Sequence, residues 1–452
     1  MKIFDLQFLK YYFARVNWLK VEFLSIGASV VSAVLSSFTE NGLDLYMSIA
    51  FPFFVIYFLM FMLCDMVKGS FSFTVSSVFL ILLGVTLQVI LSCTSSENAA
   101  VFVNSLFWHS LVGIVLGIIG GVGIHLLCKV KRTKIYILLV GATLIMYAVL
   151  LVFGVASSGT KAWITIFGFT FQLTEICKVF AIGLIALLLT DEKLKNNQKV
   201  LFSTLTVVLH AVFLMMVSEL GTLAVISITY IILSLFFLER KALKSFIKAL
   251  AFIALLASIF LFVCYACSKF GGNTGLVNTF GMIFEKLSSR FSVFAGESTD
   301  IYGKAYQTYK MKETLSMAEW FGGSYQPKIP VIESDFIVLQ LISSFGIVSF
   351  FVLMLAIIIF FISGVCSLNC TDSTSGSLAI GFNVSIIITA LLSASSAIGV
   401  LPVIGVGFPF LARGGTALAL NIAMVVFCLI ATTEVIFKKP NNSNEREPIC
   451  RR

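Results

Sequence analysis

Residues 129–154 read KVKRTKIYILLVGATLIMYAVLLVFG: three lysines and an arginine, then twenty residues without a charge. About 20 apolar residues carry a helix across the hydrocarbon core of a bilayer. The stretch 135–154 therefore predicts a membrane span, with the basic cluster at its cytoplasmic end. The pattern recurs in both directions. Uncharged or nearly uncharged runs fall at 21–38, 46–66, 72–92, 106–128, 173–190, 200–217, 220–238, 249–267, 336–363, 378–398 and 415–437. The expected fold is all-α: a polytopic integral membrane protein of about 12 helices. Composition agrees. Of 452 residues, 59% are hydrophobic and 12% charged, against roughly 25% charged in soluble domains. That leaves too little polar surface for a water-soluble particle of this size.

The cations sit between the runs. Lys2, Lys10, Arg15 and Lys20 precede the first, and Lys68 follows the second. Lys129, Lys131, Arg132 and Lys134 follow the fourth, and Lys193, Lys195 and Lys199 the sixth. Arg240, Lys241, Lys244 and Lys248 follow the eighth, and Lys438, Lys439, Arg446, Arg451 and Arg452 close the chain. All fall on one side if every run crosses the membrane. That side is read as cytoplasmic, with both termini on it. The net charge of +9 is thus a topological signal, and nucleic acid is excluded as a partner. Residues 1–20 read as a basic amphipathic segment at the interface, with no compact signal-peptide core. The expected organisation is 1–67 with two N-terminal helices, a transmembrane core over 68–437 and a tail over 438–452.

Little else suggests a soluble chemistry. Ten cysteines form no disulfide or metal framework, and the C-x-x-C of Cys264 and Cys267 ends an apolar run. His109, His125 and His210 show no metal-ligand spacing. No Walker loop or nucleophile elbow is present. The side opposite the basic clusters holds 155–172, the turn at Glu219, the long segment 268–335 and 399–414. The long segment has seven charges of each sign and reads as a functional extracytoplasmic loop. Glu175 and Lys178, three apart on one helical face, join Glu219, Asp335 and Arg413 at this side. Singly each reads as an interfacial residue. Their convergence points to a site, because charges at spans are functional candidates.

Residues 159–178, GTKAWITIFGFTFQLTEICK, resemble the G-x-K-R-W…F-x-F-Q-P-S-E-x-x-K signature of the SEDS family, the FtsW, RodA and SpoVE group. Gly159, Lys161, Trp163, Phe169, Phe171, Gln172, Glu175 and Lys178 match. Further islands follow in order. VSELGTL at 217–223 resembles Q-P-D-L-G-T-A, and GKAYQ at 303–307 resembles G-x-G-Y-Q. ESDF at 333–336 resembles H-T-D-F, and GVLPVIGVGFPFLARGGT at 399–416 the glycine- and proline-rich closing motif. The chain departs from the pattern at Ala162, Leu173, Thr174, Val217, Ser218, Glu219, Ser343, Ser344, Ala412 and Arg413.

The resemblance implies a ten-helix core and a peptidoglycan glycosyltransferase that polymerises lipid II, an undecaprenyl-pyrophosphate disaccharide pentapeptide. It implies a class B penicillin-binding protein as transpeptidase partner, alongside membrane lipids. Asp335 takes the family's essential aspartate position. It is expected to act as the base, its pKa raised by burial and by Glu333. The competing reading makes it a helix cap. Lys161, Lys178 and Arg413 are expected to hold the pyrophosphate and Trp163 to stack on a sugar, with Gln172, Glu175 and Glu219 completing the binding set. No metal cage is visible, although a divalent cation is compatible with a pyrophosphate. A lipid II flippase and a weakly active scaffold for the transpeptidase remain as alternatives.

Overall fold

The computed structural model describes residues 71–437, apart from 96–98, 158–159, 167–168, 271–274, 297–299, 301–302, 304, 324, 326 and 368–373. The two helices expected at 21–38 and 46–66 lie outside the described residues. Each of the other ten expected spans is helical: α1 (Phe71–Ser95), α2 (Ala99–Leu127), α3 (Arg132–Phe153), α4 (Leu173–Leu189), α5 (Asn196–Met216), α6 (Leu220–Phe237) and α7 (Arg240–Phe270), then α11 (Ile347–Ser367), α12 (Thr374–Ala397) and α13 (Gly415–Phe437). Between α7 and α11 lie α8 (Gly275–Phe294), α9 (Tyr306–Ser316) and α10 (Ile337–Phe345). Among the described residues, α3, α5, α6, α7, α11 and α12 are long and apolar enough to cross a membrane. The chain is a multi-pass membrane protein.

The structure adds two features to the sequence reading. The run 336–363 is two helices, because Gly346 takes a left-handed φ of +86° between α10 and α11. A side chain there would strike the Trp320 carbonyl, so only glycine fits both the angle and the space. Segment 155–172 folds as an antiparallel sheet of β1 (Val155–Ser157), β2 (Thr160–Ile166) and β3 (Phe169–Gln172), in the order β1-β2-β3. Trp163 pairs with Gln172 and Ile166 with Phe169.

Helices α4 and α12 form the centre and are buried along nearly their whole lengths. Helix α12 packs against α4, α6, α11 and α13. Helices α3 and α7 lie outside and present apolar side chains outward, Ile137, Ile145 and Val152 from α3 and Ile247, Phe252 and Phe262 from α7. That inversion suits a bundle solvated by lipid. The end holding the basic clusters is tied by side chains. Arg132 donates to Thr190 O (3.0 Å) and Thr374 Oγ1 (3.1 Å), and the Tyr136 hydroxyl donates to Asp191 Oδ2 (2.8 Å).

Helices α2 and α13 meet along a seam of small residues. Gly113, Gly117 and Gly121 recur every fourth residue. A Cβ at Gly117 would lie 2.7 Å from the Ala419 carbonyl oxygen, and one at Gly121 2.8 Å from that of Ala423. Lipid supplies no hydrophobic drive between helices, so such close backbone approach carries their association. Gly123, two residues on, has nothing within 4 Å of a built Cβ. Gly117→Leu is expected to lower the melting temperature in detergent, at a cost of about 1–3 kcal/mol or more from overpacking. Gly123→Ala is expected to be neutral or stabilising, by up to about 1 kcal/mol. Equal effects of the two substitutions would remove the seam as a determinant of stability.

Candidate active site

The end opposite the basic clusters is built from three connections and one helix. The first connection is the turn between α5 and α6. Glu219 N–H donates to Leu214 O (2.8 Å) and Ser218 N–H to Met215 O (3.0 Å), the paired bonds of a Schellman helix ending. Ser218 occupies the left-handed position at φ 60°, where glycine is usual. The turn delivers Glu219 to the start of α6 with 6% of its surface exposed. Thr222 Oγ1 donates weakly to Glu219 Oε1 at 3.4 Å.

The second connection is the series of turns at 330–336, with Val331 at φ 58°. Asp335 and Ser334 both donate their N–H to Val331 O (3.1 Å). Asp335 precedes the capping residue of α10, which is Phe336 and has no side-chain cap. The Asp335 carboxylate therefore does not cap the helix. The third connection is 398–414. Gly405 comes close to the carboxylate, since a Cβ there would lie 3.6 Å from Asp335 Oδ2. Its neighbours Ile404 and Val406 lie against Gly221, in the first turn of α6. One strand of chain thus runs from the Glu219 turn to Asp335.

These connections are joined by main-chain bonds. Arg413 N–H donates to Glu333 O (2.7 Å) and Lys161 N–H to Val217 O (3.2 Å). The Gln88 side chain of α1 donates to Glu333 O (2.7 Å) and Leu411 O (3.0 Å). Gln172 N–H donates to Thr416 Oγ1 (3.3 Å), tying the small sheet to α13.

Helix α8 completes the site with two cations that sequence reasoning passed over. Lys286 Nζ donates to Ser218 O (3.1 Å) and Arg290 Nη1 to Ile404 O (3.4 Å). Arg290 lies within electrostatic reach of both Glu219 and Asp335, and Lys286 within reach of Glu219. The sequence signal was their spacing of four within an amphipathic segment, GLVNTFGMIFEKLSSRFSVF. The structure brings Glu175, Glu219 and Asp335 into electrostatic contact. Lys178 forms a 2.5 Å ion pair with Glu175, their side chains 5% and 15% exposed. Lys161 and Arg413 present exposed side chains, and Trp163 and Gln172 are partly buried in the sheet. Ala162 is fully buried, so that position offers the site no surface group.

Burial pushes the Asp335 carboxyl above its ordinary range, with Glu333 adding repulsion and Ser334 and Arg290 opposing. Burial, then the Glu175 charge, push Glu219 up to about 7. Among the described residues no group of three or more His, Cys, Asp or Glu is placed to hold a metal.

The fold and site define a polytopic membrane protein with a cluster of carboxylates and cations at one end. The chain belongs to the FtsW/RodA/SpoVE family of cell cycle proteins, whose pattern it matches over residues 73–435. It is 25% identical over 301 residues to the probable peptidoglycan glycosyltransferase FtsW of Pseudoalteromonas translucida, covering 64% of this chain and 70% of that one. The corresponding FtsW of Lactococcus lactis is 25% identical over 297 residues, 60% of this chain and 68% of that one. The fold is similar to that of a component of a peptidoglycan synthase complex that coordinates polymerization and crosslinking (TM-score 0.54, 20% identity, 79% of this chain and 96% of that one). It is also similar to a variant of the rod shape determining protein RodA of Thermus thermophilus (TM-score 0.51, 17% identity, 80% and 97%).

The raised pKa of Glu219 has a consequence for stability. The native state keeps a proton that the unfolded chain releases between pH 4.5 and about 7. Its cost is therefore absent below pH 4.5 and complete above pH 7. Glu219→Gln is expected to stabilise the protein at pH 8 by up to about 3 kcal/mol and to change little at pH 4.5. The check is a pair of melting curves at the two pH values, and a pH-independent difference would contradict it.

Proposed function

We propose that the chain is a peptidoglycan glycosyltransferase that polymerises lipid II, with Asp335 as its base. The observation that carries this reading is the placement of Asp335. It is a carboxylate of raised pKa, off the helix-capping position and packed beside Gly405, within reach of Arg290. A carboxylate of raised pKa binds the proton of the acceptor hydroxyl more strongly and so is the better general base. In the reaction the acceptor hydroxyl gives its proton to Asp335 as its oxygen attacks the anomeric carbon. The bond from that carbon to the pyrophosphate breaks, and its electron pair leaves with the pyrophosphate. The names of the family relatives support this chemistry, since the FtsW proteins of P. translucida and L. lactis are called probable peptidoglycan glycosyltransferases.

The site would face the outside of a bacterial cytoplasmic membrane, with both termini inside. The basic clusters at the opposite end support that orientation. Exposed Lys161 and Arg413 stand at the rim, where they would gather an anionic substrate, and Trp163 would meet a sugar. Glu175 and Lys178 would brace the floor as an ion pair. A class B penicillin-binding protein would serve as transpeptidase partner. The peptidoglycan synthase complex with a similar fold, which couples polymerization to crosslinking, supports this.

Asp335→Asn is nearly isosteric but cannot accept a proton at neutral pH. It is expected to reduce glycan polymerisation from labelled lipid II by at least about 10²-fold without lowering the melting temperature. Glu333→Gln is expected to cost much less. Near-normal polymer from the Asn variant would remove Asp335 as the base. Orientation has its own check: reporters fused at Gln198 and Ser316 are expected to report the cytoplasm and the exterior, respectively. Reporters on one common side would overturn the arrangement.

A further inference from the structure

We propose that one face of α7 binds an anionic diacyl phospholipid in the leaflet at the basic end of the bundle. The site lies at the end opposite Asp335 and does not depend on the glycosyltransferase reading. Of the six helices long and apolar enough to cross a membrane, α7 is the one least enclosed by protein. Lys241, Lys244, Lys248, Phe252, Leu255 and Ile259 follow one another at spacings of three and four, which on a helix places them in a single stripe. All six are exposed. The stripe is cationic over its first two turns and apolar beyond them.

The two parts of the stripe match the two parts of a phospholipid. From Lys248 to Ile259 the helix advances about 16 Å, at 1.5 Å per residue. One leaflet contributes about 15 Å of hydrocarbon. A phosphate held at Lys244 and Lys248 therefore lays its acyl chains along Phe252, Leu255 and Ile259. Lysine suits the boundary, because its methylene stem lies along apolar surface while its ammonium group stays at the level of the headgroups.

Charge selects the headgroup. Helix α7 contains no acidic residue, and Lys241, Lys244 and Lys248 take part in no ion pair among the described residues. The acid just before the helix, Glu239, is engaged by Asn196, whose Nδ2 donates to Glu239 Oε2 (3.1 Å). Ser245 Oγ donates to Asn197 Oδ1 (2.9 Å). These two bonds hold the start of α5, with Lys195 and Lys199, beside the start of α7. The cluster before α3 is used differently, since Arg132 is bonded to Thr190 O and Thr374 Oγ1 and ties α3 to its neighbours. A zwitterionic headgroup brings an ammonium of its own, which the lysines repel, whereas an anionic headgroup brings only the phosphate charge they attract. Each lysine near an anionic lipid surface favours binding by about fivefold.

The test uses the full-length chain in detergent, its melting temperature followed against added phosphatidylglycerol, phosphatidylcholine with the same acyl chains, and soluble glycerol phosphate. Half-maximal stabilisation by phosphatidylglycerol is expected at a concentration at least about tenfold lower than by phosphatidylcholine, with none from glycerol phosphate. The double variant Lys244→Gln, Lys248→Gln is expected to lose that preference. The double variant Lys129→Gln, Lys131→Gln, in the cluster before α3, is expected to keep it. If the α7 double variant fails to fold, Lys248→Gln alone is expected to lose about fivefold and Lys248→Arg to keep the preference. A wild-type protein without preference, or α7 variants that keep it in full, would sink the site. Equal loss from the Lys129 and Lys131 variant would make the preference a property of the whole basic end, and equal stabilisation by glycerol phosphate would make it a free-phosphate site; either result overturns the proposal. A dimer in light scattering that responds to neither lipid would assign the face to a second copy and overturn it likewise.

Discussion

The Gln88 side-chain amide holds the site together. It sits within the α1 helix and donates to two carbonyls from distant parts of the chain, Glu333 O and Leu411 O. Arg413 N–H reinforces the junction by donating to Glu333 O as well. A buried carbonyl without a donor costs about 1–3 kcal/mol. The junction therefore sets where the turns at 330–336 and the 398–414 connection can lie. Asp335 is two residues from Glu333, and Gly405 and Gly407 pack against Asp335 and Ser334. The position of the carboxylate thus depends on a spanning helix far from it in sequence.

Electrostatics then distribute what the backbone has placed. Three carboxylates, Glu175, Glu219 and Asp335, share one end of the bundle, and their mutual repulsion is met in different ways. Glu175 has Lys178 within a tight ion pair on the same helix. Asp335 has Arg290 nearby and hydrogen bonding from Ser334. Glu219 has the deepest burial of the three and responds by shifting its proton affinity toward neutrality. One region thereby contains an acid held in an ion pair, an acid whose pKa burial raises beside a cation, and an acid pushed up to about 7.

The spanning architecture was legible because lipid imposes a length and an apolar composition on every helix, and the basic clusters mark one end of the bundle. The convergence of Glu175, Glu219 and Asp335 was legible for the same reason, since counting spans places all three at one end. Other features gave weaker signals. The break at Gly346 is hidden in an apolar run, IVLQLISSFGIVSFF, in which composition does not distinguish one helix from two. The small sheet at 155–172 is too short for its alternation to stand out. Balanced charge in 268–335 masked α8, although Phe280, Phe284, Leu287 and Phe291 already repeat at helical spacing. Lys286 and Arg290 were missed with it, because their significance lies in the Ser218 and Ile404 carbonyls they reach. Contacts of that kind belong to tertiary structure and leave no local trace.

The turn at Gly346 separates two tasks that a continuous helix would have joined. Helix α10, with Ile337 through Ser343 buried, packs within the protein against α9, α11 and α12. Helix α11 carries an exposed apolar face that includes Phe351, Leu355 and Ile362. A spanning helix adapts to a thicker or thinner bilayer by tilting. Here α11 begins directly after a glycine in the left-handed region, so its direction is set apart from that of α10, which starts at Ile337. Asp335 is referenced to the protein's interior and α11 to the lipid. One glycine thus divides a single apolar run into a helix that the protein encloses and a helix that faces lipid.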